Sequence, residues 1–302
     1  MSLRPIFILG PTGSGKSAVA VALAKRLGRA EIVGADAYQV YRGLEVLTAS
    51  PSAQEMEQVP HHLIGCLSPT QPHDAATHAR MAQEIVADII ARGAVPIVTG
   101  GSGLYVKFIS HGISPAPPSD PELRAQLTAL PLEEAVRRLQ EADPEGAANT
   151  DLQNPRYVVR NLEIVLLGGK PLSFWRSNWQ GKPAGPGICL VHETPVLDAR
   201  ILRRTRAMLA HGALHEVAAL PSELSPTAAK TLGLSTIRDF LAGRLPRTDL
   251  VPTIALATRQ YAKRQRTWLR REDWLTPLPV TPSANSEALA AQIFSLFYKK
   301  MS

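Results

Sequence analysis

The stretch ILGPTGSGKSAVAVALAKRL, residues 8 to 27, decides the fold. A short apolar run, PIFIL at 5 to 9, leads into it as a buried parallel strand would, and a segment rich in Ala, Val and Leu leaves it as a helix. Between the two, GPTGSGKS satisfies G-x-x-x-x-G-K-[ST] in the strand-turn-helix setting that this motif requires. The turn formed by Gly10, Pro11, Thr12, Gly13, Ser14, Gly15, Lys16 and Ser17 is therefore a candidate phosphate cradle. In such a turn, backbone N–H groups at a helix start surround phosphate oxygens, Lys16 supplies a mobile positive charge, and Ser17 can ligate Mg²⁺. Gly13 and Gly15 let the backbone come close. The cradle alone does not distinguish a nucleoside triphosphate from a short prenyl diphosphate.

Working outward, EIVGA (31 to 35) reads as a second strand ending at Asp36, and VPIVTGGSG (95 to 103) as a third ending in glycines and Ser102. ATHARMAQEIVADIIARG (76 to 93) has helical periodicity closed by Gly93, as a crossover helix has. Strands alternating with such helices predict an α/β fold, a P-loop-type open parallel sheet flanked by helices, with ligands at the carboxyl ends of the strands. Lys16, Asp36 and Ser102 all fall just beyond such ends. Proline-dense segments at 114 to 121 and 181 to 187 bracket the helical patterns LEEAVRRLQEA and NPRYVVRNLEIVLL, which predicts a small helical insertion domain over 125–195 in a core of 1–124 and 196–302. Near the end of that range ICLVH (188 to 192) returns to strand, and helices follow at 199 to 212, 254 to 271 and 286 to 300.

The chain has 302 residues, 45% of them hydrophobic. No apolar run approaches the roughly 18 residues of a membrane span, and the start does not read as a signal peptide, so a cytoplasmic protein is expected. Cys66 and Cys189 stand far apart, which leaves no disulfide framework or cysteine zinc site, and both are expected to be buried or half-buried. The formal net charge of +7 permits a polyanionic partner. It is concentrated in IALATRQYAKRQRTWLRR (254 to 271), where Arg259, Lys263, Arg266 and Arg270 fall on one helical face and Ile254, Ala257, Tyr261 and Trp268 on another. That face could meet phosphates or simply be solvated.

The segments ADAYQVYRGLEVLTASP (35 to 51), VPHHLIG (59 to 65), VPIVTGGSGLYVKFISHGI (95 to 113) and ATRQYAKRQRTWLRR (257 to 271), in this order, resemble the tRNA dimethylallyltransferases, also called tRNA isopentenyltransferases. The likeness covers nearly the whole chain. It implies transfer of a dimethylallyl group from dimethylallyl diphosphate to the exocyclic amine of the adenosine next to the anticodon, with Mg²⁺ and release of diphosphate. By the same resemblance Asp36 is the candidate base, Ser102 the hydroxyl on the leaving group, and Lys16 with Ser17-bound Mg²⁺ the charge that stabilises it. The implied tRNA contacts are Asp36, Ala37, Tyr38, Gln39, Ser102, Arg124, Arg156 and Arg160, with the anticodon stem-loop as partner and a monomer sufficient to present the site. Gln39 could read a base edge, since an amide both donates and accepts.

Several positions depart from the family pattern: Ala37 for serine, Leu47 for glycine, Ser50 for lysine, Gly65 for aspartate, and TLGLST with Leu234 where tyrosine is usual. Two other readings remain open at this point. A small-molecule or nucleoside kinase would use the same cradle but turn over ATP, and an RNA-binding paralogue would keep the fold without the transfer. Retention of Lys16, Ser17, Asp36 and a hydroxyl at 102 weighs against the paralogue, because binding RNA needs no diphosphate cradle.

Overall fold

The computed structural model describes residues 3–179, 181–281 and 283–298. Among the described residues the strands are β1 (Ile6–Leu9), β2 (Ala30–Ala35), β3 (His61–His62), β4 (Val95–Gly100), β5 (Gly187–Val191) and β6 (Leu275–Pro279). They form one six-stranded sheet in the order β3-β2-β4-β1-β5-β6, parallel at every pairing. β1, β2 and β4 are buried along their whole length, as continuous apolar strands covered on both faces must be. On one face Val19, Leu23, Ile32, Ile97 and Ile293 share a core that joins the cradle helix (Lys16–Leu27) to the last helix (Ser286–Tyr298). The final lysine pair of the expected 286–300 helix lies outside the described residues.

Register fixes where the loops emerge. Leu9 of β1 and Ala35 of β2 both stand opposite Gly100 of β4. The three chains therefore leave the sheet at one level, and Gly10, Asp36 and Gly101 come out side by side. A β-carbon on Gly101 would lie 2.5 Å from the Gly10 carbonyl oxygen, so only glycine allows the two loops to approach this closely.

The sheet edges are less legible in sequence. β6, with the sequence LTPLP, carries Pro277 and Pro279 and does not read as a strand; it is tolerated as the outermost strand, where the missing N–H groups face no further partner. At the opposite edge His62 Nε2 lies 2.7 Å from Glu31 Oε2, and Arg92 also pairs with Glu31. The Arg92 hydrogen bond is the main reason the Glu31 carboxyl is held at about 2.

The helical unit spans His111–Lys182, and residues 1–110 with 183–302 form the other compact unit. The expected 125–195 insertion is thus displaced toward the N-terminus at both ends. At one end β5 pairs with β1, Phe7 opposite Gly187, which ties that strand to the sheet. At the other, the segment before the helix Pro121–Thr128 is fastened inside the helical unit. Ser119 Oγ and the Asp120 N–H donate to Glu163 Oε1 at 2.8 and 3.0 Å. Leu127, Leu139, Val158 and Leu162 form that unit's apolar core.

Arg124 and Arg160 both ion-pair with Glu163, whose side chain is fully buried. Burial pushes the Glu163 carboxyl up, but the hydrogen bonds from Arg124, Arg160 and Ser119 outweigh it and hold the group below its ordinary value. Glu163→Ala would leave two arginines facing a buried space, so a loss of about 3 kcal/mol is expected in denaturant unfolding, the lower end of the range for a broken buried pair because the arginines keep some solvent. The ordinary Glu value is about 4.3. Since the folded value is lower, this stabilisation is complete above that pH and disappears as pH falls through the folded value. A midpoint unchanged in Glu163→Ala would contradict the assignment.

Among the described residues no helix is long and apolar enough to cross a membrane. Cys189 is half-buried, whereas Cys66 is exposed, contrary to the expectation for it.

Candidate active site

The cradle helix starts at Lys16 with Gly15 at its N-terminal boundary, in a left-handed conformation with φ 87°, and neither a capping side chain nor an acid satisfies its first turn. Gly13 also has positive φ, 84°. Uncapped N–H groups at a helix start carry partial positive charge and favour an anion. Cations reinforce it. Burial lowers Lys16 to about 8, with Asp36 pulling the value up again and Arg204 pressing it down. Burial also lowers Arg204, against an upward pull from Asp36.

The outside of the loop is gripped residue by residue. Gln265 Oε1 accepts the Thr12 N–H at 2.8 Å, and Arg204 donates to Thr12 Oγ1 at 2.5 Å. Arg200 Nε donates to the Gly13 carbonyl at 2.7 Å, and His192 Nε2 lies 2.8 Å from the Ser14 carbonyl. These groups come from the end of β5, from the helix Thr194–Ala210 and from the basic helix Arg247–Leu269. The sequence marks none of them as a site residue. The available signal is the i, i+4 pair Arg200 and Arg204 interleaved with Leu197 and Ile201, which are buried.

Beyond β2, Asp36 Oδ1 accepts the Tyr38 N–H at 3.0 Å, closing a local turn; no hydrogen bond to a described residue engages its other oxygen. Ser102 Oγ accepts the Ala37 N–H at 3.3 Å and lies 3.0 Å from the Tyr261 hydroxyl. Burial, with Asp36 adding to it, pushes the Tyr261 phenol far up, so it stays protonated and can donate. The rings of Tyr261 and Tyr38 lie with centroids 6.2 Å apart, tilted by 53° to each other. A single cleft is lined by Thr12, Asp36, Tyr38, Arg204, Thr258 and Tyr261. The edge of the phosphate cradle and the carboxylate thus open onto the same space.

Of the other expected contacts, Gln39 uses its amide nitrogen on the carbonyls of Thr48 and Ala49, at 3.3 and 3.2 Å, which holds the loop where the departures cluster. Leu47 and Leu234 are buried in one core with Val40, Tyr41 and Ile254, so two of the departures serve apolar packing. Gly65 has φ 55°, a conformation that glycine takes more readily than aspartate. Arg124 and Arg160 are gathered on Glu163 within the helical unit, while Arg156 is exposed in the first turn of the helix Pro155–Gly168. On the basic helix Arg259 is half-buried over the Ala255 carbonyl, and Arg266 donates to Thr194 Oγ1 at 2.6 Å. Lys263, Arg264 and Arg270 are exposed.

Among the described residues no cluster of His, Cys, Asp or Glu could hold a metal by itself. The donors near the cradle are hard oxygens, the Ser17 hydroxyl and Asp36. That set fits Mg²⁺, which commonly takes one or two protein oxygens and completes its shell with substrate phosphates and water.

A parallel sheet whose middle strand feeds an uncapped, cation-ringed helix start defines the class, an α/β protein of P-loop type built to hold linked phosphates. Comparison with known proteins narrows it. The family described as IPP transferase matches residues 39–272. A tRNA dimethylallyltransferase of Akkermansia muciniphila is 54% identical over 288 residues, 95% of this chain and 97% of that one. The crystal structure of a tRNA isopentenylpyrophosphate transferase from Staphylococcus epidermidis superposes with a TM-score of 0.72 at 28% identity, covering 99% of both chains. A eukaryotic dimethylallyltransferase acting on tRNA shares the fold with a TM-score of 0.84 at 24% identity, covering 99% of this chain and 79% of that one. The chain belongs to the IPP transferase family.

Proposed function

We propose that this protein transfers a dimethylallyl group from dimethylallyl diphosphate to the exocyclic amine of the adenosine 3′-adjacent to the anticodon of tRNA, releasing diphosphate, and that it does so as a cytoplasmic monomer. The observation that carries the reading is the shared cleft, in which Asp36 faces the same space as Thr12 of the cradle and Arg204 bonded to it. A prenyl transferase needs a base there, because an aromatic amine gains a bond to carbon and must lose a proton; a kinase would use one on its hydroxyl nucleophile too, so the preference for prenyl over phosphoryl transfer comes from the family to which the chain belongs.

The chemistry follows from the groups. Ionising an allylic diphosphate separates a carbocation from a multiply charged leaving group, and the barrier falls where donors meet the departing oxygens. Lys16, Arg204 and the N–H groups at the start of the cradle helix take that charge. Mg²⁺, held by the Ser17 hydroxyl together with phosphate oxygens, would supply further electrostatic stabilisation. When Tyr261 donates to Ser102 Oγ, which also accepts the Ala37 N–H, the Ser102 proton is left for the bridging oxygen of the leaving group. The free oxygen of Asp36 takes the amine proton. Tyr38 and Tyr261 offer ring faces to an unstacked adenine, which suits recognition of a splayed anticodon loop.

The test is incubation of purified protein, Mg²⁺, dimethylallyl diphosphate and unmodified tRNA, with ATP present. A mass gain of one prenyl group on that adenosine is expected. ATP hydrolysis or phosphoryl transfer without prenylation would favour the kinase reading instead. A second expectation concerns the basic helix. If Lys263, Arg264 and Arg270 neutralise tRNA phosphates, replacing all three by glutamine flattens the plot of log affinity against log salt, by roughly 0.7–0.9 for each phosphate left without its cation. Equal slopes would return that face to solvent.

A further inference from the structure

We infer that His192 is a positioning residue of the cradle: it holds the Ser14–Gly15 peptide with its carbonyl turned outward, so that the Gly15 N–H faces the bound diphosphate. The inference rests on the proposed reading of the cradle as the diphosphate site. His192 directly follows β5 and is 4% exposed. Its Nε2 lies 2.8 Å from the Ser14 carbonyl oxygen. A carbonyl only accepts, so Nε2 carries the proton and Nδ1 is left as a bare lone pair. Nδ1 is buried and has no hydrogen-bond partner among the described residues. A second proton there would be stranded, and burial accordingly holds the imidazole below its ordinary value. The ring is neutral, in one tautomer, with one job.

That job matters because of the residue types on either side. In a trans peptide the C=O and the following N–H point in opposite directions. Turning the Ser14–Gly15 peptide over requires only the ψ of Ser14 and the φ of Gly15 to change. Gly15 has φ 87°, and glycine accepts either sign, so chain sterics do not fix the peptide. In the flipped state a carbonyl oxygen would face the anion where an N–H should be. The preceding peptide is secured twice, by Arg200 on the Gly13 carbonyl at 2.7 Å and by the Ser14 N–H on the Pro11 carbonyl at 3.1 Å. For the Ser14–Gly15 peptide, the His192 contact is the hydrogen bond that sets its direction among the described residues.

The experiment compares His192→Phe, which keeps a ring and loses the donor, with His192→Gln, which keeps a neutral N–H donor. Inorganic diphosphate binding is measured by calorimetry, and KM and kcat with dimethylallyl diphosphate and tRNA. In His192→Phe, Kd for diphosphate and KM for dimethylallyl diphosphate should each rise roughly tenfold, as expected when one hydrogen bond to a charged group is removed. The kcat should also fall, because the transition state loses the same donor, while tRNA affinity and unfolding midpoint should stay near wild type, and His192→Gln should recover most of these losses. Diphosphate affinity unchanged in a folded His192→Phe protein overturns the inference, as does a loss that follows the unfolding midpoint and is not recovered by glutamine. Should neither variant fold, the Gly15 amide ¹⁵N–¹H signal of the wild type decides: it should shift on adding diphosphate, and a static signal at saturation overturns the inference. Wild-type protein that binds diphosphate through Gly15 yet never prenylates tRNA would sink the proposed function and leave the positioning role of His192 standing.

Discussion

An Asp36→Asn variant should react at least about 10²-fold more slowly than wild type in a single turnover with tRNA and excess dimethylallyl diphosphate, while its tRNA affinity changes little. The substitution is discriminating because of how Asp36 is held. One oxygen accepts the Tyr38 N–H and closes the turn beyond β2, a bond that an asparagine carbonyl can also accept. The backbone therefore has no reason to move. What asparagine cannot do is take a proton with its other atom, and a step that needs a base loses the typical contribution of a positioned one. If Asp36 served only to cap the turn, Asp36→Asn would react at the wild-type rate, and the base would have to be sought elsewhere in the cleft.

The next largest effect is expected at Lys16. Lys16→Met should lower kcat by roughly 10²–10³, the usual cost of removing one preorganised group from a site of developing negative charge. The cation also has a pH signature. Burial lowers its value to about 8 in the free protein, and only the protonated amine attracts an anion. Affinity for diphosphate, once the ligand's own ionisation over this range is divided out, should therefore be level below about 8 and weaken as pH rises through that value, with proton uptake by the lysine on binding above it. Lys16→Met should bind more weakly at neutral pH and lose this break. Calorimetry from pH 6.5 to 9.5, at constant ionic strength, checks both; the same break in the Lys16→Met protein would assign it to another group.

What the chain reveals by itself follows a physical division. GPTGSGKS specifies its own turn, because the glycines, the lysine and the following helix are contiguous, and β1, β2, β4 and β5 announce themselves as short apolar runs. Asp36 and Ser102 are legible as residues just past strand ends. The braces on the cradle are not, because Gln265 and Arg204 reach Thr12 across 253 and 192 positions of sequence, and no local pattern encodes such a contact. Arg200 and Arg204 look like a solvated helix face, and His192 like an ordinary residue at the end of a strand. β6 is hidden by its prolines, which argue against a strand everywhere except at an edge. The basic helix reads as starting at 254, whereas it begins at Arg247, with Pro252 inside it. Arg124 and Arg160 are expected on tRNA because of their family positions, but the buried carboxylate that gathers them, Glu163, gives no sign of its burial in the sequence.

The most direct measurement uses dimethylallyl diphosphate labelled with ¹⁴C in the prenyl group and ³²P in the diphosphate, incubated with this protein and unmodified tRNA. Carbon label should enter the tRNA at the adenosine beside the anticodon, and all phosphorus label should be recovered as free diphosphate in matching amount. Phosphorus label joined to any acceptor, or carbon label that never enters the tRNA, would contradict it.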